Sequence, residues 1–110
     1  MAGLTDADKR ALERFAALVR RAFPGRVESL RLFGSKARGE ARASSDVDLL
    51  VVLTHADWRD EDRVIDLATE VFIETGVDLS PKVYSRDQIA AMRRRRNVFL
   101  QAVEQDAVSL

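Results

Sequence analysis

The run Leu49-Leu50-Val51-Val52-Leu53, approached through Asp46-Val47-Asp48, constrains this chain more than any other stretch. An unbroken apolar run after a polar start reads as a strand buried on both faces, so a central position in a sheet is predicted for 47–53. Side chains alternate along a strand. Asp46 and Asp48 therefore emerge on one face, roughly 7 Å apart along the backbone. Two carboxylates that close repel each other, and stability alone gives no reason to place them there. A divalent cation removes the conflict, since Mg2+ takes carboxylate oxygens and keeps sites for water or substrate phosphate.

A second feature lies upstream, where Gly34-Ser35 directly follows the apolar Leu32-Phe33 and ten residues separate Ser35 from Asp46. Glycine lets a backbone approach a ligand closely, and successive N–H groups with a serine hydroxyl can hold phosphate oxygens. A phosphate grip beside metal-binding carboxylates points to metal-assisted phosphoryl or nucleotidyl transfer.

Composition narrows the alternatives. At 110 residues the chain is expected to be one domain, 1–110, with a modest core. Its 46% apolar and 33% charged residues are those of an ordinary globular protein rather than a disordered one. Formal net charge is zero, so the basic field of a dedicated nucleic-acid binder is missing and nucleic acid is a disfavoured partner. No cysteine is present and His55 is the only histidine, which removes thiolate catalysis, cysteine zinc sites and multi-histidine metal sites. No apolar stretch reaches membrane-spanning length and the N-terminus does not read as a signal peptide, so the expected compartment is the cytoplasm.

Elsewhere, Thr5 to Asp8 resembles a capping box, and Leu12, Phe15, Ala16, Val19, Ala22 and Phe23 follow at helical spacing up to Pro24-Gly25. Arg26 to Phe33 reads as a strand, with Leu30 and Leu32 on one face and Arg31 and Phe33 on the other. Arg38 and Arg42 fall in the segment linking the two motifs, where Arg38 either contacts phosphate or shapes the loop. Asp57 to Thr75 reads as a helix whose apolar stripe includes Trp58, Val64, Ile65, Ala68, Val71 and Phe72, closed by Gly76. Trp58 is expected at the edge of the core, and His55 as a solvated loop residue. Val77 to Tyr84 alternates as a strand, and Pro81 puts it at a sheet edge or at a bulge. Ser85-x-x-Gln88 opens one last helix carrying Ile89, Met92, Phe99, Leu100 and Val103, and 106–110 is read as a short final strand. The arginines at 93–96 read as a solvated face with ion pairs, or as a docking surface. This alternation of strands and helices predicts an α/β (α+β) domain, a mixed sheet with helices packed mainly on one side.

Gly34-Ser35, ten residues and Asp46-x-Asp48 together resemble the signature of the DNA polymerase β nucleotidyltransferase superfamily. The longer string is similar to its minimal nucleotidyltransferases, and is carried by Gly34, Ser35, Ala37, Arg38, Gly39, Ala41, Ser45, Asp46, Asp48 and Leu49. The resemblance implies a nucleotidyltransferase palm-like core and transfer of a nucleoside monophosphate, AMP from ATP foremost, to an acceptor hydroxyl. It implies a two-ion Mg2+ site at Asp46 and Asp48, with Asp78 as third carboxylate on the neighbouring strand. Gly34, Ser35 and Arg38 would then form the nucleotide-binding side. Minimal members often work beside a helical HEPN-type toxin that the transferase modifies, in an antitoxin role. The alternative is a non-catalytic nucleotide-binding or antitoxin subunit of the same fold. Self-association is compatible with either.

Overall fold

The sheet is built outward from the expected central strand. A computed structural model describes residues 4–39 and 46–110, so Ala41, Arg42 and Ser45 of the linking segment lie outside the described residues. Along the chain come α1 (Asp6–Ala22), β1 (Val27–Phe33), α2 (Gly34–Arg38), β2 (Val47–Leu53), α3 (Trp58–Thr75), β3 (Leu79–Ser85), α4 (Arg86–Arg94), α5 (Val98–Asp106) and β4 (Val108–Ser109). The strand order is β3-β2-β1-β4. β1 runs antiparallel to both β2 and β4, and β3 runs parallel to β2 across the α3 connection. Fully covered Leu49, Leu50, Val51 and Leu53 follow from that central position. β3 lies at the edge, as Pro81 requires.

One face of the sheet carries Leu30, Leu32, Val47, Leu49, Val51 and Leu53, packed against Phe15 and Val19 of α1 and Val64, Leu67 and Val71 of α3. These two long helices make the larger core, on the side where the sequence puts most helical cover. Leu50 and Val52 project to the other face, where Ile89 and Met92 of α4 and Leu100 and Val103 of α5 form a smaller core. The last helix is therefore not continuous. Arg96 takes a positive φ of 53° and Asn97 caps a new helix by accepting from the Leu100 N–H at 2.9 Å, so α4 and α5 are separate. Asparagine at an N-cap and arginines crowding one turn are the local causes.

Caps set the other helix starts. Thr5 and Asp8, Asp57 and Asp60, and Ser85 and Gln88 each form a reciprocal capping box. Asp60 also accepts from Arg26 at 2.8 Å, which ties the start of α3 to the chain entering β1 and holds the Asp60 carboxyl below its usual range. Among the described residues, no helix is long and apolar enough to cross a membrane.

Beneath the Gly-Ser turn lies a buried ion pair. Lys36 of α2 is 0% exposed, and its Nζ sits 2.8 Å from Oδ2 of Asp8, itself buried in α1. The same Oδ2 accepts from the Thr5 N–H at 3.0 Å, so cap and ion pair share one oxygen. Removing one member of such a pair leaves an uncompensated buried charge, which costs about 3–5 kcal/mol. Lys36→Met is expected to lose stability on that scale in urea unfolding. Combined with Asp8→Leu, it should regain most of the loss.

Candidate active site

β1 ends at Phe33 and the chain turns at once into α2, so Gly34 and Ser35 stand where β1 meets the start of β2. Phe33 is the register partner of Asp48. It occupies the cap position of α2 and offers no side-chain hydrogen bond there, so the first N–H groups of that turn are uncapped by their own neighbour. Gly34 has φ +77°, and a Cβ built on it would run into Oδ2 of Asp48 and lie 3.2 Å from its Cγ. The need for glycine here is thus stronger than the sequence suggests. The Asp48 carboxylate fills the space that a side chain would take, so the Gly34-Ser35 turn lies directly against it.

Asp46 is exposed at the foot of β2, and Asp48 is partly covered within it. Burial raises the Asp48 pKa first, and the negative charge of Asp46 raises it further. Lys82 and Arg38 act in the opposite direction. The two aspartates thus stand near enough for the charge of Asp46 to act on Asp48. Lys82 was not expected at the site. Its signal was the alternation that puts Asp78, Ser80, Lys82 and Tyr84 on one face of their strand, but only the parallel register Asp48↔Ser80 and Leu50↔Lys82 brings that face to Asp48. Lys36 was missed for a different reason: its partner Asp8 lies 28 residues away in another helix.

Arg38 stands 3.8 Å from Asp106 of α5 and lowers the Asp48 pKa, so it braces the turn and adds positive charge beside the carboxylates. Asp78 immediately precedes β3, the strand beside β2, as expected. Its carbonyl accepts from the Val47 N–H at 3.0 Å, and its residue is exposed. Asp78 does not join Asp46 and Asp48 in a three-carboxylate cluster: among the described residues no group of three acidic or histidine side chains is disposed to hold one ion. His55 is exposed in its loop, as expected.

The comparisons with known proteins agree with this geometry. A family model described as a nucleotidyltransferase domain matches residues 12–102, which contain both motifs and Asp78. The chain belongs to the nucleotidyltransferase family. It is similar to two Methanocaldococcus jannaschii proteins, each named "Putative protein adenylyltransferase". One is 35% identical over 80 residues, covering 73% of this chain and 76% of the relative. The other is 37% identical over 73 residues, and the match spans 64% of this chain and 50% of that relative. Among solved structures, a nucleotidyltransferase-named protein from Sulfolobus solfataricus aligns with TM-score 0.61 at 22% identity, over 94% of this chain and 82% of its own. A toxin–antitoxin structure with AMP-PNP aligns with TM-score 0.60 at 19% identity, over 88% and 70%. A Shewanella oneidensis complex of tri-AMPylated HEPN toxin with MNT antitoxin aligns with TM-score 0.58 at 17% identity, over 92% and 69%. At these identities the solved structures establish a shared fold. This nucleotidyltransferase has the expected mixed sheet.

Two outcomes follow from the site's geometry. A carboxyl whose folded pKa is raised binds more protons in the native state, so stability falls as pH rises through the window between its unfolded and folded values. Asp48→Asn should therefore raise the metal-free melting temperature at pH 7, by a margin that shrinks as pH falls towards about 4. Gly34→Ala should destabilise by clearly more than Gly76→Ala. Both glycines have positive φ, but only Gly34 meets a side chain, and the backbone penalty alone is about 1–2 kcal/mol.

Proposed function

We propose that this nucleotidyltransferase moves AMP from ATP to a hydroxyl on a separate protein, a HEPN-type toxin foremost. The observation that carries the proposal is the Asp48 carboxylate set directly against Gly34, with Asp46 beside it on β2's approach. Support for a protein acceptor comes from the names of the Methanocaldococcus relatives, and for a HEPN partner from the assembly named in the Shewanella structure.

The donor set fits a divalent ion. Asp46 and Asp48 are hard oxygen ligands whose mutual repulsion a cation relieves, and the absence of a side chain at Gly34 leaves room for the Asp48 carboxylate. When bound, Mg2+ would neutralise charge developing on the phosphates. The chain's own groups do the rest. Gly34 and Ser35 hold the triphosphate through backbone N–H groups and the serine hydroxyl. Arg38 and Lys82 contribute positive charge on the two sides of the carboxylates. The acceptor oxygen attacks the α-phosphorus, and the bond from that phosphorus to the bridging oxygen breaks. Pyrophosphate leaves, and the acceptor proton passes to Asp78 or to solvent.

A second reading, a nucleotide-binding antitoxin without turnover, draws on the position of Asp78 outside any three-carboxylate group. Incubation of the chain with labelled ATP, Mg2+ and a HEPN-type toxin separates the two by intact mass. Expected is AMP on the toxin, abolished by Asp46→Asn or Asp48→Asn. Ser35→Ala should weaken ATP binding by about 1 kcal/mol, as for one lost hydrogen bond. ATP binding without any mass shift would select the non-catalytic reading.

A further inference from the structure

β3 turns its two faces to different surroundings. Leu79 and Val83 pack into the larger core, so Ser80, Lys82 and Tyr84 share the opposite face with Asp48, Leu50 and Val52. α3 covers the larger-core face, and so its exposed Ile65 and Phe72, and Trp58, expected at the core edge but 64% exposed, belong to the side away from Asp48. On the Asp48 face the cover of β3 ends in aromatic rings. Tyr84 packs against the smaller core, and the Phe99 ring of α5 lies 6.4 Å from it and 5.7 Å from Phe33. Nearer the Asp48 end, Ser80 is half-buried and Lys82 exposed.

Lys82 forms no ion pair among the described residues, whereas Arg38, on the α2 side, lies 3.8 Å from Asp106. An exposed lysine on an edge strand often guards against pairing with another sheet. Pro81 already removes a donor from this edge, so that role alone leaves the charge at 82 unexplained. Register gives it a place in the site. Ser80 stands level with Asp48, and Lys82 level with Leu50. Residues two apart on a strand lie roughly 7 Å apart on one face. A reacting oxygen at the level of Asp48 therefore has Lys82 one such step further along the sheet face. An extended segment laid over β3 presents its own alternate side chains at the same spacing. Where one of them carries the acceptor hydroxyl, the next on that face meets an ammonium on a flexible stem. The complementary group there is a carboxylate.

Resting on the proposed protein acceptor, we infer that Lys82 selects that acceptor: the modified hydroxyl lies two residues from an aspartate or glutamate whose carboxylate pairs with Lys82. The segment crosses β3 on the Asp48 face, opposite the Gly34-Ser35 turn on the β1 side.

The test is a 15N-resolved titration of the full chain loaded with Mg2+ and α,β-methylene ATP. The probe is a synthetic peptide whose one tyrosine has a glutamate two residues away on each side. Control peptides replace both glutamates by lysine, or move them next to the tyrosine. Amide shifts are expected at 80–84, with about tenfold weaker binding of either control. Lys82→Arg should keep the preference for the glutamate peptide over the lysine peptide, and Lys82→Glu should invert it. Lys82→Gln, which should erase it, replaces Lys82→Glu if melting shows that variant unfolded. An unchanged preference, shifts confined to 93–96, no shifts at about 1 mM peptide, or tighter binding of a short oligothymidylate at 80–84 would each overturn the inference. Nucleotide affinity, measured on every chain, should change less than peptide affinity does. Equal loss of both would make Lys82 a nucleotide ligand and overturn its selecting role. A wild-type chain that binds no nucleotide sinks the transferase reading and the inference with it, whereas nucleotide binding without peptide preference sinks only the selection by Lys82.

Discussion

Lys36 and Asp8 join the first helix to the five-residue helix that carries the Gly-Ser turn, and the position of that turn depends on them. A lysine with no exposed surface is costly to bury, since taking an ammonium out of water carries a penalty of several kcal/mol. The Coulomb attraction at 2.8 Å offsets this only with close geometry and further hydrogen bonding, which Asp8 supplies by also accepting from Thr5. Replacing such pairs by apolar residues is often neutral, so net stability does not explain the pair. Its effect is positional. α2 is too short to be held by an apolar face of its own, and a directional ion pair fixes both its distance and its rotation against α1. Gly34 and Ser35, which directly precede Lys36 in α2, inherit that placement.

The carboxylates illustrate the opposite use of charge. Asp60 is hydrogen-bonded by Arg26 and by the Asp57 backbone, so ionisation favours the folded chain. Asp48 is partly desolvated and faces Asp46, so ionisation disfavours it. Both are single aspartates at the beginning of an element, and composition treats them alike. What separates them is whether the neighbouring charge is a guanidinium or another carboxylate. A fold that retains the second arrangement in its central strand accepts local instability there.

The fold was legible where one segment's own pattern decides. The two-faced apolar run placed β2 in the centre, Pro81 confined β3 to an edge or a bulge, and the capping boxes at Thr5 and Ser85 located two helix starts. Asp46 and Asp48 could be paired because strand alternation fixes their relation within five residues. Legibility failed where two distant segments must be put in register. The Lys36–Asp8 pair and the approach of Lys82 to Asp48 depend on tertiary placement, and no spacing encodes them. The helix break at Arg96 was hidden because Ile89 to Val103 stays in phase with one apolar stripe despite the interruption. The α3 stripe misled in the reverse direction: periodicity counts apolar residues on a face but not how much of that face the domain can cover. Ile65 and Phe72 belong to the stripe and yet lie outside the core.

Topology divides the proposed reaction about a single strand. β2 has an antiparallel neighbour whose last residue leads straight into the Gly34-Ser35 turn, and a parallel neighbour that Asp78 immediately precedes. An antiparallel pair brings the end of β1 to the start of β2, whereas a parallel pair brings the start of β3 there. Both arrangements therefore deliver chain termini of strands to the Asp46–Asp48 end, one from each side. An all-parallel sheet would bring two strand starts and no Gly34 turn to that point. The mixed sheet is thus a functional requirement on the proposed reading, because donor and acceptor must meet from opposite sides for in-line displacement at phosphorus.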